Sequence, residues 1–242
     1  MGISKTSTYK NLFFISIGTV GLLAVLIGFS KTFIIPVSKG SFTAPIIIYI
    51  HGAFAFSWIS LFFIQATLIR YNNFQLHKKL GIIGVFIAIG AAATILPAGI
   101  FSVQKQLKQG LDETAFSSFL GTVTTAVMYL ALVIAGIINR KKPQIHKRLM
   151  LLATIVLLWP AWFRFRHYFP SITRPDIWFA IVLADSLIII SFIWDKIANG
   201  KIHRTLLYIG LFIIAEHFFE AYMFDTTPWR SLSKPLYYFF RL

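Results

Sequence analysis

Residues 40–69 read GSFTAPIIIYIHGAFAFSWISLFFIQATLI and contain no Asp, Glu, Lys or Arg. A helix needs about 20 such residues to cross the hydrocarbon of a bilayer, so this stretch decides the class of the chain. Working outward, further charge-free runs occupy 11–30, 80–104, 114–139, 149–163, 177–194 and 205–215. The two short ones end at Arg164 and Glu216, and both reach spanning length if continued through those charges to Tyr168 and Met223. The sequence therefore predicts an all-α, polytopic membrane protein, one bundle of seven transmembrane helices near 11–30, 45–69, 78–102, 116–139, 146–168, 176–194 and 204–223. Residues 225–242, with Pro228, Pro235 and several aromatics, read as an interfacial tail to this single domain.

Composition agrees. Hydrophobic residues make up 57% of the chain and charged ones 13%, with a mean hydropathy of +0.74, which leaves little for a water-facing domain. The first apolar run follows Lys5 and Lys10, but it is long and no A-x-A-like cleavage site follows it, so it reads as a retained helix and not a signal peptide. The chain has no cysteine. Disulfides, thiolate catalysis and iron–sulfur clusters are thereby excluded, and any metal must be held by His or carboxylate. A net charge of +15 would suggest nucleic acid in a soluble protein; here the bases sit mostly in connections, where the positive-inside bias accounts for them and no nucleic-acid partner is expected. The heaviest cluster, Arg140 to Arg148, places the N-terminus inside and the C-terminus outside.

Three helices open on the same side with nearly one phrase: Leu76-His77-Lys78-Lys79-Leu80, Ile145-His146-Lys147-Arg148-Leu149 and Ile202-His203-Arg204-Thr205-Leu206. The bland account is interfacial anchoring by snorkelling side chains. The functional account starts from the positive helix N-terminus, which keeps His77, His146 and His203 neutral and able to ligate, with Lys and Arg beside them for an anion. Haem with its propionates, or a lipid phosphate, asks for that combination. Gly81, Gly84, Ala88 and Ala91 or Ala92 follow His77 at helical spacing, a smooth face for a flat ring or another helix. His203 and His217 stand about 21 Å apart along one helix, a separation suited to two haems.

A second set lies in the outer half. At about 1.5 Å per residue, His51, Asp185, Arg164, Glu216, His217 and Glu220 converge on one layer. His51, Trp58 and Gln65 recur every seven residues, a polar stripe that should face inward. Glu216, His217 and Glu220 share one side of their helix. Arg164 is the expected counter-ion of Asp185 or Glu216. The acids still outnumber it unless Arg166 or His167 also turns inward, so the surplus implies bound protons, a bound cation or a proton path.

The stretch from His51-Gly52 through Trp58, Gln65 and Arg70 to His77-Lys78-Lys79-Leu80-Gly81, then His146-Lys147-Arg148-Leu149-Met150 with Pro160 and Arg164, resembles an uncharacterised family of bacterial multi-pass membrane proteins. That family carries a His…Trp…Gln…His-Arg-x-x-Gly segment before a His-Arg-x-x-Met…Arg segment. The resemblance covers roughly residues 45–170 and implies a cell membrane, the bacterial inner membrane, but no activity. Leu76-His77-x-x-Leu80-Gly81 is similar to the Leu-His-x-x-Leu-Gly phrase of two-haem transmembrane b-type cytochromes, which implies that His77 is an axial haem ligand.

Three readings stay open. In the first, b-type haem serves electron transfer with a membrane redox partner, His217 and His51 ligating an outer haem and His203 with His77 or His146 an inner one. The second is a proton-coupled transporter or channel for a small-molecule substrate, built on Asp185, Glu216, Glu220 and Arg164. The third is a metal enzyme holding a transition metal on His51, His217, Glu216 and Glu220.

Overall fold

The computed structural model describes residues 5–241; of residues 5–11 it describes the backbone alone, so the side chains of Lys5 and Lys10, and the tail residue Leu242, lie outside the described part. Seven helices are long and apolar enough to cross a membrane: α1 (Leu12–Ser38), α2 (Ile46–Arg70), α3 (Phe74–Lys108), α4 (Thr114–Ile138), α5 (Pro143–His167), α6 (Pro175–Asn199) and α7 (Arg204–Met223). An eighth, α8 (Thr227–Arg241), is short. The described residues contain no strand, as a bilayer requires when every backbone group must be satisfied within its own segment. The chain is an integral, multi-pass membrane protein. Seven successive spans give it two faces: a first face with the turns 70–74, 138–143 and 199–204, and a second face with 38–46, 108–114, 167–175 and α8.

The bundle is built around α5. In its apolar stretch 67% of residues are buried, against 22% in α2 and α7, and Leu149 to Leu158 form an almost unbroken buried run. Around it pack α1, α2, α4, α6 and α7, with α3 laid across α2 and α4. The outer helices turn Ile82, Phe86, Ile138, Ile197, Phe212 and Tyr222 outward, an apolar surface that suits lipid. Association in such a medium depends on close packing. Gly28 of α1 lies so near the backbone carbonyl of Ala161 in α5 that a Cβ there would overlap it. The small-residue face of α3 is filled from α2: Leu61 lies over Gly84, and Gln65 approaches Gly81. Helix α2 packs on that face.

Two helices contain π turns, Ser30–Ile34 in α1 and Trp178–Leu183 in α6. A π turn takes in one residue more than an α turn, which rotates the succeeding residues by up to about 100°. In α6 the residues so re-aimed begin at Ala184 and Asp185.

Within the tail, Thr227–Arg241 form the helix α8, seated on α4. Trp229, Ser233 and Tyr237, spaced four apart, are its buried row. Trp229 Nε1 donates to Ser117 O at 2.9 Å. The Ser233 hydroxyl receives Leu120 N–H at 3.1 Å and donates to Phe116 O, and Tyr237 lies between Phe116 and Phe119. Asp225 starts the connection, accepting from Arg230 Nε at 2.7 Å, Ser117 Oγ at 2.9 Å and Thr114 Oγ1 at 3.0 Å. The Arg230 hydrogen bond first, then those from Ser117 and Thr114 against the cost of burial, hold the Asp225 carboxyl below its usual range. A depressed carboxyl contributes stability above its unfolded pKa of about 3.9 and loses it as pH falls through the folded value. Docking of α8 should therefore be constant at neutral pH and weaken below about pH 4. Limited proteolysis within 225–241 across a pH series checks this, and Asp225→Asn should flatten the dependence.

Candidate functional site

Asp185 and His217 form the centre of the second-face half. Both are buried, and His217 Nδ1 is 2.7 Å from Asp185 Oδ1. The pair joins α6 to α7. His217 Nε2 faces Glu216 Oε2 at 4.0 Å, and one turn along α7 the carboxylate of Glu220 rests directly on Gly121 of α4, where a Cβ would overlap it. The carboxylates of Asp185, Glu216 and Glu220 thus all lie within electrostatic reach of the His217 imidazole, on α6 and α7 with Glu220 against α4. Asp185 Oδ2 and Glu216 Oε2 are enclosed and have no protein hydrogen-bond partner.

Arg164 is not their counter-ion. Its Nη1 donates to Pro160 O at 2.8 Å, and its guanidinium lies 4.0 Å over the Phe29 ring. Arg166 covers Phe163 instead of turning inward, and His167 is exposed. Among the described residues, no Lys or Arg pairs with Asp185, Glu216 or Glu220. Asp185 takes an imidazole where the sequence suggested a guanidinium. Arg164 stands instead within electrostatic reach of His51.

The α2 stripe does face inward, and each member has a different partner. His51 Nδ1 is 3.0 Å from Thr94 Oγ1. Thr94 already donates its one hydrogen to Gly90 O at 2.7 Å, so His51 carries hydrogen on Nδ1 and keeps a lone pair on Nε2. Trp58 Nε1 donates to Thr154 Oγ1 at 3.2 Å, and its ring meets Tyr129 edge-on at 5.3 Å. Gln65 Nε2 donates to His77 O at 3.1 Å, leaving Gln65 Oε1 and His77 Nδ1 enclosed without protein partners.

The three first-face histidines are not equivalent. His146 Nδ1 is 2.8 Å from Gly136 O; a carbonyl only accepts, so Nδ1 carries hydrogen, and in the neutral tautomer the lone pair lies on Nε2. His203 caps α7, its Nδ1 accepting Thr205 N–H at 3.2 Å, which leaves hydrogen on Nε2 and no lone pair for a metal. Burial, then the charge of Arg148, holds the His203 imidazole below its usual range. His77 lies within electrostatic reach of His146. Among the described residues no three His, Asp or Glu side chains are grouped to hold one metal ion, so the expected quartet of His51, His217, Glu216 and Glu220 is not gathered as one ligand set.

Sequence reasoning missed a buried ion pair. Arg148, counted among the loop charges, turns into the bundle, and its Nε and Nη2 grip both oxygens of Asp195. Arg148 Nη1 returns to Gln144, O at 2.7 Å and Oε1 at 2.9 Å. Asp195 also receives Asn199 Nδ2 and His203 N–H, each at 2.7 Å. One signal was available: Asp195 is the lone acid among the many bases assigned to that face, so a partner was close by.

Compared with known protein families, with curated proteins and with solved structures, the chain shows no match. Fold and site together define a multi-pass helical membrane protein with an intramembrane His–carboxylate cluster.

Proposed function

We propose that this protein moves protons, as a proton-coupled transporter or channel in which Asp185, His217, Glu216 and Glu220 form a binding station opening toward the second face. The observation that carries the reading is the buried Asp185–His217 pair flanked by two glutamates with no Lys or Arg partner. An Asp–His ion pair is neutral, so the glutamates leave surplus negative charge. Uncompensated charge in a low-dielectric interior costs several kcal/mol per ion, and exchange of protons relieves it. The basic first face is the cytoplasmic one under the positive-inside rule. The test is proton flux into proteoliposomes with an entrapped pH dye. Asp185→Asn keeps the shape and one acceptor oxygen but cannot exchange a proton, and should slow flux about 100-fold; unchanged flux removes the role given to Asp185.

One observation favours a second reading. His51 and His146, near opposite faces, each hold Nδ1–H on a protein oxygen and offer Nε2, the orientation taken by ligating histidines. Each would hold b-type haem at its own end. A Soret band that shifts on dithionite reduction supports it, and a featureless visible spectrum removes it.

A further inference from the structure

We infer that the Tyr129 hydroxyl is the midpoint of a water-bearing proton path running along the inward stripe of α2, from the second-face acids to the first face. The inference rests on the proton-handling reading of those acids. Tyr129 is completely buried, and its Oη has no protein hydrogen-bond partner. Its polar neighbours are already committed: Trp58 Nε1 to Thr154, and the Thr154 hydroxyl to Met150 O at 2.9 Å. A buried hydroxyl without a partner is unfavourable, and a phenyl ring would fill the same space without that cost. The oxygen is thus available to bond water.

Unpartnered polar atoms recur on either side of it. Toward the second face, the Glu220 carboxylate lies on Gly121, two turns or about 12 Å before Tyr129 on α4, and Asp185 and Glu216, which share its electrostatic reach to His217, each keep an open oxygen. Toward the first face, Gln65 lies about 10 Å beyond Trp58 on α2, with its Oε1 and the neighbouring His77 Nδ1 both open. A hydroxyl accepts a hydrogen bond from one water and donates to the next. A proton entering at the acids is matched by one leaving beside Gln65 and His77, and Tyr129 itself ends unchanged, with water the only other carrier.

The experiment compares full-length wild type, Tyr129→Phe and Asp185→Asn in proteoliposomes, reading proton flux and thermal midpoint together. Tyr129→Phe should lower flux about tenfold or more while its thermal midpoint stays level or rises, a split that a merely structural tyrosine does not produce. Wild-type flux in Tyr129→Phe with slow flux in Asp185→Asn overturns the path and leaves the acid station standing. Wild-type flux in both variants, or no wild-type flux above empty liposomes, overturns both. A Tyr129→Phe protein that fails to fold also overturns the path, because the hydroxyl would then have a structural partner.

Discussion

Asp195→Ala is expected to destabilise the folded bundle by about 3–5 kcal/mol, the cost of stranding one member of a buried ion pair. Arg148 and Asp195 are 3% and 6% exposed at their side chains, and removal of the carboxylate leaves the guanidinium with Gln144 alone. The loss extends beyond one contact, because Asp195 also holds Asn199 and the His203 backbone and so fixes the α6–α7 turn to α5. A shape-matched apolar pair, Arg148→Met with Asp195→Leu, should recover much of the deficit, since the charges themselves gain little from burial. Denaturant unfolding of the purified protein in detergent checks both: a double variant as unstable as Asp195→Ala would show that the hydrogen bonds to the turn, and not the stranded charge, carry the cost.

Gly28→Ala should cost at least about 3 kcal/mol, at the upper end of what overpacking does. The obstacle is the backbone of Ala161, which cannot rotate away, so α1 must separate from α5 along the contact where they pack. Gly136→Ala provides the contrast. There the new methyl meets the flexible end of Met150, and the loss should stay below about 1.5 kcal/mol. Equal losses in the two variants would mean that the α1–α5 contact yields as easily as a methionine side chain.

The architecture was legible because the bilayer enforces it: charge-free runs such as 40–69 and 114–139 have one stable form in hydrocarbon. That Asp185 lies near the Glu216–Glu220 turn was also legible, from depth along the helices and from shared faces on α7. Partner choice was not. Arg164 and Asp185 lie at matching depths, but the facing of Asp185 depends on a π turn that periodicity does not announce, and Arg164 is held by Pro160 O and Phe29. Arg148 and Asp195 are 47 residues apart, and each looked like an ordinary charge at a helix end. The tail hid its helix behind Pro228 and Pro235; Pro228 stands in the first turn of α8, where no intrahelical N–H bond is lost.

The most direct test of the central claim, that α6 and α7 present Asp185 and His217 to each other inside the bundle, is nitrogen-15 NMR of histidine-labelled protein in lipid. With six histidines in the chain, the His217 signals are assigned by their loss in His217→Gln. The Nδ1-bound proton should lie in a strong hydrogen bond, shifted downfield, and move back toward ordinary imidazole values in Asp185→Asn. A His217 spectrum that is indifferent to Asp185→Asn would contradict the pairing and the proton station built on it.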